Sequence, residues 1–205
     1  MKLLLENWRK YLTEGMKTIT DLPDDSGIVI QKYGNGWQID YTAIDDPMKD
    51  PKDGPSGGVE ITRPRPAGGR FPAVPCLAQA GEQGPWQIHT HETTHGWGPL
   101  LYDIAMEWAS MHGGGLMSDR AEGISSEALA VWNHYLKHLP RGIKVMQMDD
   151  LKNTLTPEEW DNCKQHDANR GNPENLHSSP LSKRFLKKAD TIKALQKAGR
   201  LTIIE

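Results

Sequence analysis

The sequence predicts an α+β domain built on a mixed, mostly antiparallel sheet flanked by helices. Three observations carry that expectation. Two β-rich runs, 27–32 and 37–42, surround a Gly34-Asn35-Gly36 turn, which is a hairpin signal. From 86 to 150 the patterns run strand, glycine turn, helix, short strand, helix, strand. The length, 205 residues, suits one domain with a full core. Two cysteines, Cys76 and Cys163, exclude a disulfide-dense scaffold and a four-cysteine zinc site. The net charge of −3 gives no reason to expect a nucleic-acid partner. No run approaches the ~18 apolar residues that span a bilayer, so no membrane segment is expected.

The elements follow in order. After the hairpin, 45–58 is rich in Asp, Pro, Lys and Gly and reads as loop, and 58–62 as a strand. The Pro-rich stretch to Pro75 cannot be a central strand. Residues 86–90 read as a strand or a short helix. Over 99–112 a helix is expected: Pro99 suits its first turn, Leu100, Leu101, Ile104, Ala105 and Trp108 share one face, and Gly113-Gly114-Gly115 ends it. Leu116 and Met117 form a short strand. Ser125 or Ser126 caps a second helix whose face is Ala128, Val131, Trp132, Tyr135, Leu136 and Leu139, and Pro140-Arg141-Gly142 stops it. A strand over 143–148 follows, then a polar tail over 149–184, a helix over 191–198 and a strand over 201–204. The domains so read are a leader, 1–15, a core, 16–150, and a loop-rich extension, 151–205, packing on that core.

Two motifs share the junction 91–99. The first is His91-Glu92-Thr93-Thr94-His95, an HExxH. On a helix both imidazoles hold one Zn²⁺ and Glu92 activates its water, which is metallopeptidase chemistry. On a strand His91 and His95 stand ~13 Å apart by rise alone, too far to share a metal. The alternation Trp86-Gln87-Ile88-His89-Thr90 favours a strand, on which His89 and His91 face one side. The second motif is Gly96-Trp97-Gly98 between strand and helix, where glycines admit an anion to the free N–H groups of a helix N-terminus.

Thr93-x-x-Gly96-x-Gly98 before an apolar helix resembles the acetyl-CoA loop of the GNAT N-acetyltransferases, R/Q-x-x-G-x-G/A. The helix, short strand and second helix follow in the family's order. Gly96 to Asp103, with Ser118-Asp119-Arg120 and Ala128-x-x-Val131-Trp132, looks like a GNAT-like group met in phage genomes. The resemblance covers 86–150 and implies a GNAT-like sheet, acetyl-CoA as acyl donor and an amine acceptor. It places Thr93, Gly96, Trp97, Gly98 and Ser125 around the cofactor and makes Glu92 the base and Tyr135 the candidate acid. Thr93 stands where the family has Arg or Gln, Pro99 lacks an N–H, and Tyr135 lies one turn beyond the family's tyrosine. A catalytically inactive GNAT fold, serving as a virion structural or accessory protein, is the further alternative to the acyltransferase and the zinc peptidase.

The first fifteen residues, MKLLLENWRKYLTEG, place Leu4, Trp8, Tyr11 and Leu12 at helical spacing and form a short amphipathic helix. They resemble the leaders that direct internal proteins of T4-like phages into the prohead, and Leu12-Thr13-Glu14-Gly15 fits the cleavage pattern after Glu14. That resemblance implies a virion or host-cytoplasmic location and capsid or other virion proteins as partners of the helix. Three further expectations concern single positions. Trp97, between two glycines, is expected near a cleft. Asp149 and Asp150 end a core strand, in a solvated turn or with a metal or base role. Lys183-Arg184 with Lys187-Lys188 forms a small solvated basic patch.

Overall fold

The computed structural model describes residues 17–64, 75–120, 123–139, 142–149, 155–163 and 176–205, with the backbone alone at 75–76, 90–92 and 176. The leader, its Glu14 cleavage pattern and Asp150 lie outside the described residues.

The hairpin forms as the turn chemistry requires. Strands β1 (Ser26–Tyr33) and β2 (Gly36–Ala43) pair antiparallel from Ser26↔Ala43 to Tyr33↔Gly36. Gly34, with φ +57°, takes the first turn position, as a two-residue turn matched to strand twist demands. Strand β3 (Gly57–Thr62) pairs antiparallel with β2, and β4 (Trp86–Thr93) antiparallel with β3 through a register shift between Gly57 and Val59. A four-residue helix, α1 (Pro75–Ala78), precedes β4. Then come α2 (Gly98–Met111), β5 (Leu116–Met117), α3 (Ser126–His138), β6 (Ile143–Gln147), β7 (Lys183–Lys187), α4 (Asp190–Lys197) and β8 (Leu201–Ile204). The described strands form one open sheet in the order β6-β7-β5-β4-β3-β2-β1-β8. All neighbours are antiparallel except β4 with β5 and β1 with β8.

Residues beyond 150, set apart by their polarity as an extension packing on the core, supply β7 and β8 to this sheet. β7 inserts between β5 and β6, and β8 runs parallel to β1 at the other edge. β7 reads KRFLK, and its basic residues are turned to internal use. Lys187 Nζ lies 2.9 Å from Glu107 Oε1 and 3.1 Å from Asp103 Oδ1. Lys183, largely buried, donates to Gln147 Oε1 and the His177 carbonyl, and burial pushes its ammonium below the usual lysine range. Arg184 covers the Trp160 ring at 5.2 Å. The expected solvated patch is therefore corrected at these three positions. A lysine or arginine can enter a sheet when carboxylates, carbonyls or aromatic faces receive its head.

Strand alternation divides the sheet into two faces. Ile28, Ile30, Ile39, Val59 and Ile61, all fully buried, pack under Leu101, Ile104 and Trp108 of α2. Trp132 of α3 stacks on Phe185 of β7, ring centroids 5.0 Å apart, and Ile192 and Leu195 of α4 complete this core. A smaller cluster of Leu77, Met117, Met148 and the disulfide-bonded Cys163 packs with Trp160. Helix α2 ends where the glycines were expected to end it. A Cβ on Gly114 would stand 2.3 Å from the Gln83 carbonyl oxygen, so only glycine permits that approach.

One buried carboxylate ties the last helix to the rest. Glu107 of α2 is fully buried, and its two oxygens accept from the Thr191 and Ile192 N–H groups at 2.9 and 2.7 Å. Those N–H groups belong to the first turn of α4, which has no intrahelical acceptor for them. Glu107→Ala removes both acceptors and one of the two carboxylates of Lys187. It is expected to cost about 3 kcal/mol of unfolding free energy, read by urea denaturation, against a smaller loss for Glu107→Gln.

Candidate functional site

The site region begins where β4 leaves β5. These parallel strands share two residue pairs, Trp86↔Leu116 and Gln87↔Met117. β4 then continues to Thr93 against β3 alone among the described strands, so its edge from Ile88 to Thr93 has no described strand partner. A turn over 94–97 joins β4 to α2. Thr94 anchors it to the β2–β3 connection: its N–H donates to the Ser56 carbonyl at 3.0 Å, and its hydroxyl accepts from the Ser56 N–H at 2.8 Å. Gly96 has φ +85°, a conformation costly for any residue with a Cβ. Among the described residues, a Cβ on Gly96 would meet only the Lys17 Cγ, at 3.8 Å, and one on Gly98 only the Thr93 Oγ1, at 3.5 Å.

Trp97 departs from its expected place at a cleft. It is 8% exposed, and its ring packs edge-on against Tyr41, centroids 5.7 Å apart. Its carbonyl accepts from the Tyr41 hydroxyl at 2.7 Å and its N–H donates to the Thr94 carbonyl at 3.1 Å. A large aromatic between glycines anchors the turn in the core, leaving the glycines as its open surface. Ser125 caps α3, its hydroxyl accepting from the Ala128 N–H at 3.1 Å. Tyr135 is fully buried, and its hydroxyl donates to Asp103 Oδ1 at 2.9 Å, with the Pro99 carbonyl at 3.3 Å. It braces α3 against the first turns of α2.

The backbone answers the HExxH question. Trp86–Thr93 is strand, Gly96 reverses the chain, and α2 starts only at Gly98. His91 and His95 therefore do not share a helical face, the condition on which the zinc reading rests. The side chains of His91 and Glu92 lie outside the described residues, and His95 is exposed. Among the described residues no group of three or more His, Cys, Asp or Glu side chains is placed to hold a metal ion. No described helix is long and apolar enough to cross a membrane.

Two polar groupings were missed in the sequence. On the face opposite α2, His89 Nδ1 lies 3.0 Å from Asp119 Oδ2, and His89 Nε2 lies 3.1 Å from Thr62 Oγ1. Gln87 Nε2 donates to Asp119 Oδ1 at 3.1 Å. Asp119 is two residues past β5, so this network bridges β4 and β5 at the point where their ladder stops. The signal available was the period of two in Gln87-x-His89 and Glu60-x-Thr62; the partner Asp119 is thirty residues away. The second grouping surrounds Asp149, which is fully buried rather than in a solvated turn. It accepts from the Leu155 and Thr156 N–H groups at 2.7 and 3.1 Å, and its own N–H donates to Asp161 Oδ2 at 3.3 Å. Arg120 donates to the carbonyls of Asp149 and Cys163. These contacts fasten 155–163 to the sheet.

No protein-family model, no curated protein and no solved structure matches this chain.

Asp161 gives a test with a definite sign. Desolvation first, and the Asp149 carboxylate second, raise its pKa above the ordinary carboxylate value. A carboxyl that holds its proton more tightly when folded contributes stability below its unfolded pKa, and that contribution is lost as pH rises through the folded value. Asp161→Asn removes the loss. Its stability relative to the parent is expected to improve steadily from about pH 3 to neutrality in parallel urea titrations; a difference independent of pH would contradict the assignment.

Proposed function

We propose that the protein is a GNAT-like acyltransferase that moves an acyl group from acyl-CoA to an amine. The observation that carries this reading is the end of the β4–β5 ladder after two pairs, ahead of a glycine turn at the start of α2. A strand edge facing a gap can hydrogen-bond an extended amide-bearing arm. A helix N-terminus can receive phosphate oxygens.

The residues fit such a donor with a reduced set of N–H groups. The Trp97 N–H is spent on Thr94 and Pro99 has none, which leaves Gly98 and Leu100 as first-turn donors. Thr93 flanks Gly98, and the Lys17 Cγ lies 3.8 Å from where a Gly96 Cβ would stand. Bound acyl-CoA supplies the activated thioester. The chain's own part is to hold the pyrophosphate at 96–100, to align the arm along residues 88–93 of β4, and to take a proton from the acceptor amine. Glu92 is one candidate for that last role. Tyr135 supports the helix that presents the amides. The leader resemblance extends the proposal to a virion or host-cytoplasmic protein whose N-terminal helix meets capsid or other virion proteins.

A second reading, an inactive GNAT-like fold acting as a virion accessory protein, draws on the commitment of the Tyr135 hydroxyl to Asp103 and on the amides lost at 97 and 99. Binding separates the two. The parent is expected to bind acetyl-CoA saturably in calorimetry. Gly98→Trp, whose Cβ meets only the Thr93 Oγ1 among the described residues, is expected to weaken that binding at least ~10-fold. Absence of acetyl-CoA binding by the parent favours the accessory role.

A further inference from the structure

The last turns of α3 carry two histidines that neither the core nor the proposed acyl transfer uses. His134 and His138 are four residues apart, so they share one helix face with Cβ atoms about 6 Å apart. His134 is half-buried and His138 is exposed. Their ring centroids lie 4.7 Å apart, with the planes tilted by 34°. The ring of the fully buried Tyr135 meets His134 edge-on at 6.0 Å and restricts where that imidazole stands. Among the described residues neither imidazole has a hydrogen-bond or ion-pair partner.

The separation of the rings is the one that a shared metal ion requires. Two imidazole nitrogens at ~2.0–2.1 Å from one Zn²⁺, about 90–110° apart at the ion, place the ring centroids about 4.5–5.2 Å apart. The 4.7 Å between His134 and His138 falls inside that interval. His138 is at the surface, so its ring turns a nitrogen toward an ion without disturbing the core. The local field also suits a cation. α3 ends at His138, and the carbonyl end of a helix is the negative end of its dipole. The Asp103 carboxylate of α2 acts on His134 with its negative charge. Lys137 opposes these, but it is exposed and lies about 100° around the helix from His138.

We infer that His134 and His138 form a two-histidine site for a divalent transition-metal ion that favours imidazole, namely zinc, nickel or copper. Among the described residues no third His, Cys, Asp or Glu is placed to complete it. The two imidazoles fill two positions on the ion and water fills the others. Bound metal links successive turns of α3 and so stabilises the folded chain. Nothing in this inference depends on the acyltransferase reading.

The test titrates the full chain, carrying no affinity tag, with zinc or nickel chloride in calorimetry at about pH 7.5, where an ordinary imidazole is neutral. The parent is expected to bind each ion saturably. His138→Ala and His134→Gln are each expected to weaken that binding at least ~10-fold, because a single imidazole loses the effective concentration of its neighbour. Substoichiometric Cu²⁺ is expected to broaden the amide NMR signals of residues 134–138 before others. That readout does not respond to a merely structural ring contact, and it serves if His134→Gln does not fold. A parent that binds neither zinc nor nickel overturns the inference. So does binding that His138→Ala leaves unchanged, or copper broadening that spares residues 134–138.

Discussion

β4 and β5 share two pairs and then separate, and much of the molecule can be understood from how that separation is supported. Parallel neighbours can part only if each has another strand to hold it. β3 pairs with β4 from Gln87 to Thr90 and again at Thr93, and β7 holds β5 at both of its residues. β7 in turn is held by β6. The insertion of β7 between β5 and β6 is therefore what lets a strand of two residues persist. Where their ladder ends, Asp119 reaches back to Gln87 and His89, replacing the lost backbone ladder by side-chain bonds on one face. Beyond Thr93 the chain turns at Gly96 into α2.

The opposite face uses charge for a different end. Asp103, Glu107 and Lys187 meet under α2, with the Tyr135 hydroxyl on Asp103 and the α4 amides on Glu107. A buried carboxylate without such partners would be expelled or neutralised. Here each partner comes from a different element, so the cost of burying the group is offset only when α2, α3, β7 and α4 are all in place. The network makes docking of the C-terminal segment conditional on the rest. It also fixes the first turns of α2, whose orientation sets the direction of the amides at 98 and 100.

What could be read from the sequence was what local chemistry decides. The hairpin followed from Gly34-Asn35-Gly36 between alternating strands, and the ends of α2 and α3 from Pro99, the glycines at 113–115 and the Ser125 cap. The glycine turn at 96–98 was also visible, because a positive φ demands its residue type. What stayed hidden was set by distant partners. KRFLK looked like surface because the groups that receive its cations lie on α2, at Trp160 and around Gln147. Asp149 looked solvated because its partners, Leu155 and Thr156, follow in a segment without periodic pattern. His89 and Asp119 each looked unremarkable; only the two-pair register of β4 and β5 brings them together. Trp97 misled for the opposite reason: its glycine neighbours suggested an open site, whereas its size made it the anchor.

The choice between strand and helix at 88–93 turns on the neighbour and not on the motif. Taken alone, His91-Glu92-Thr93-Thr94-His95 has the spacing of a metal-binding helix. Yet β3 has β2 on one side and needs β4 on the other. Val59, Glu60, Ile61 and Thr62 are at most 5% exposed, so the backbone groups they direct at β4 have no water to replace a lost ladder. Each such group left unpaired would cost on the order of 1–3 kcal/mol, and several would be lost together. No local helix preference of a His-Glu-Thr-Thr segment approaches that sum, since threonine and histidine are middling helix formers and Gly96 and Gly98 follow at once. Burial of β3 thus forces β4 to stay extended. The same constraint sets Gln87 and His89 on the polar face, where Asp119 can reach them.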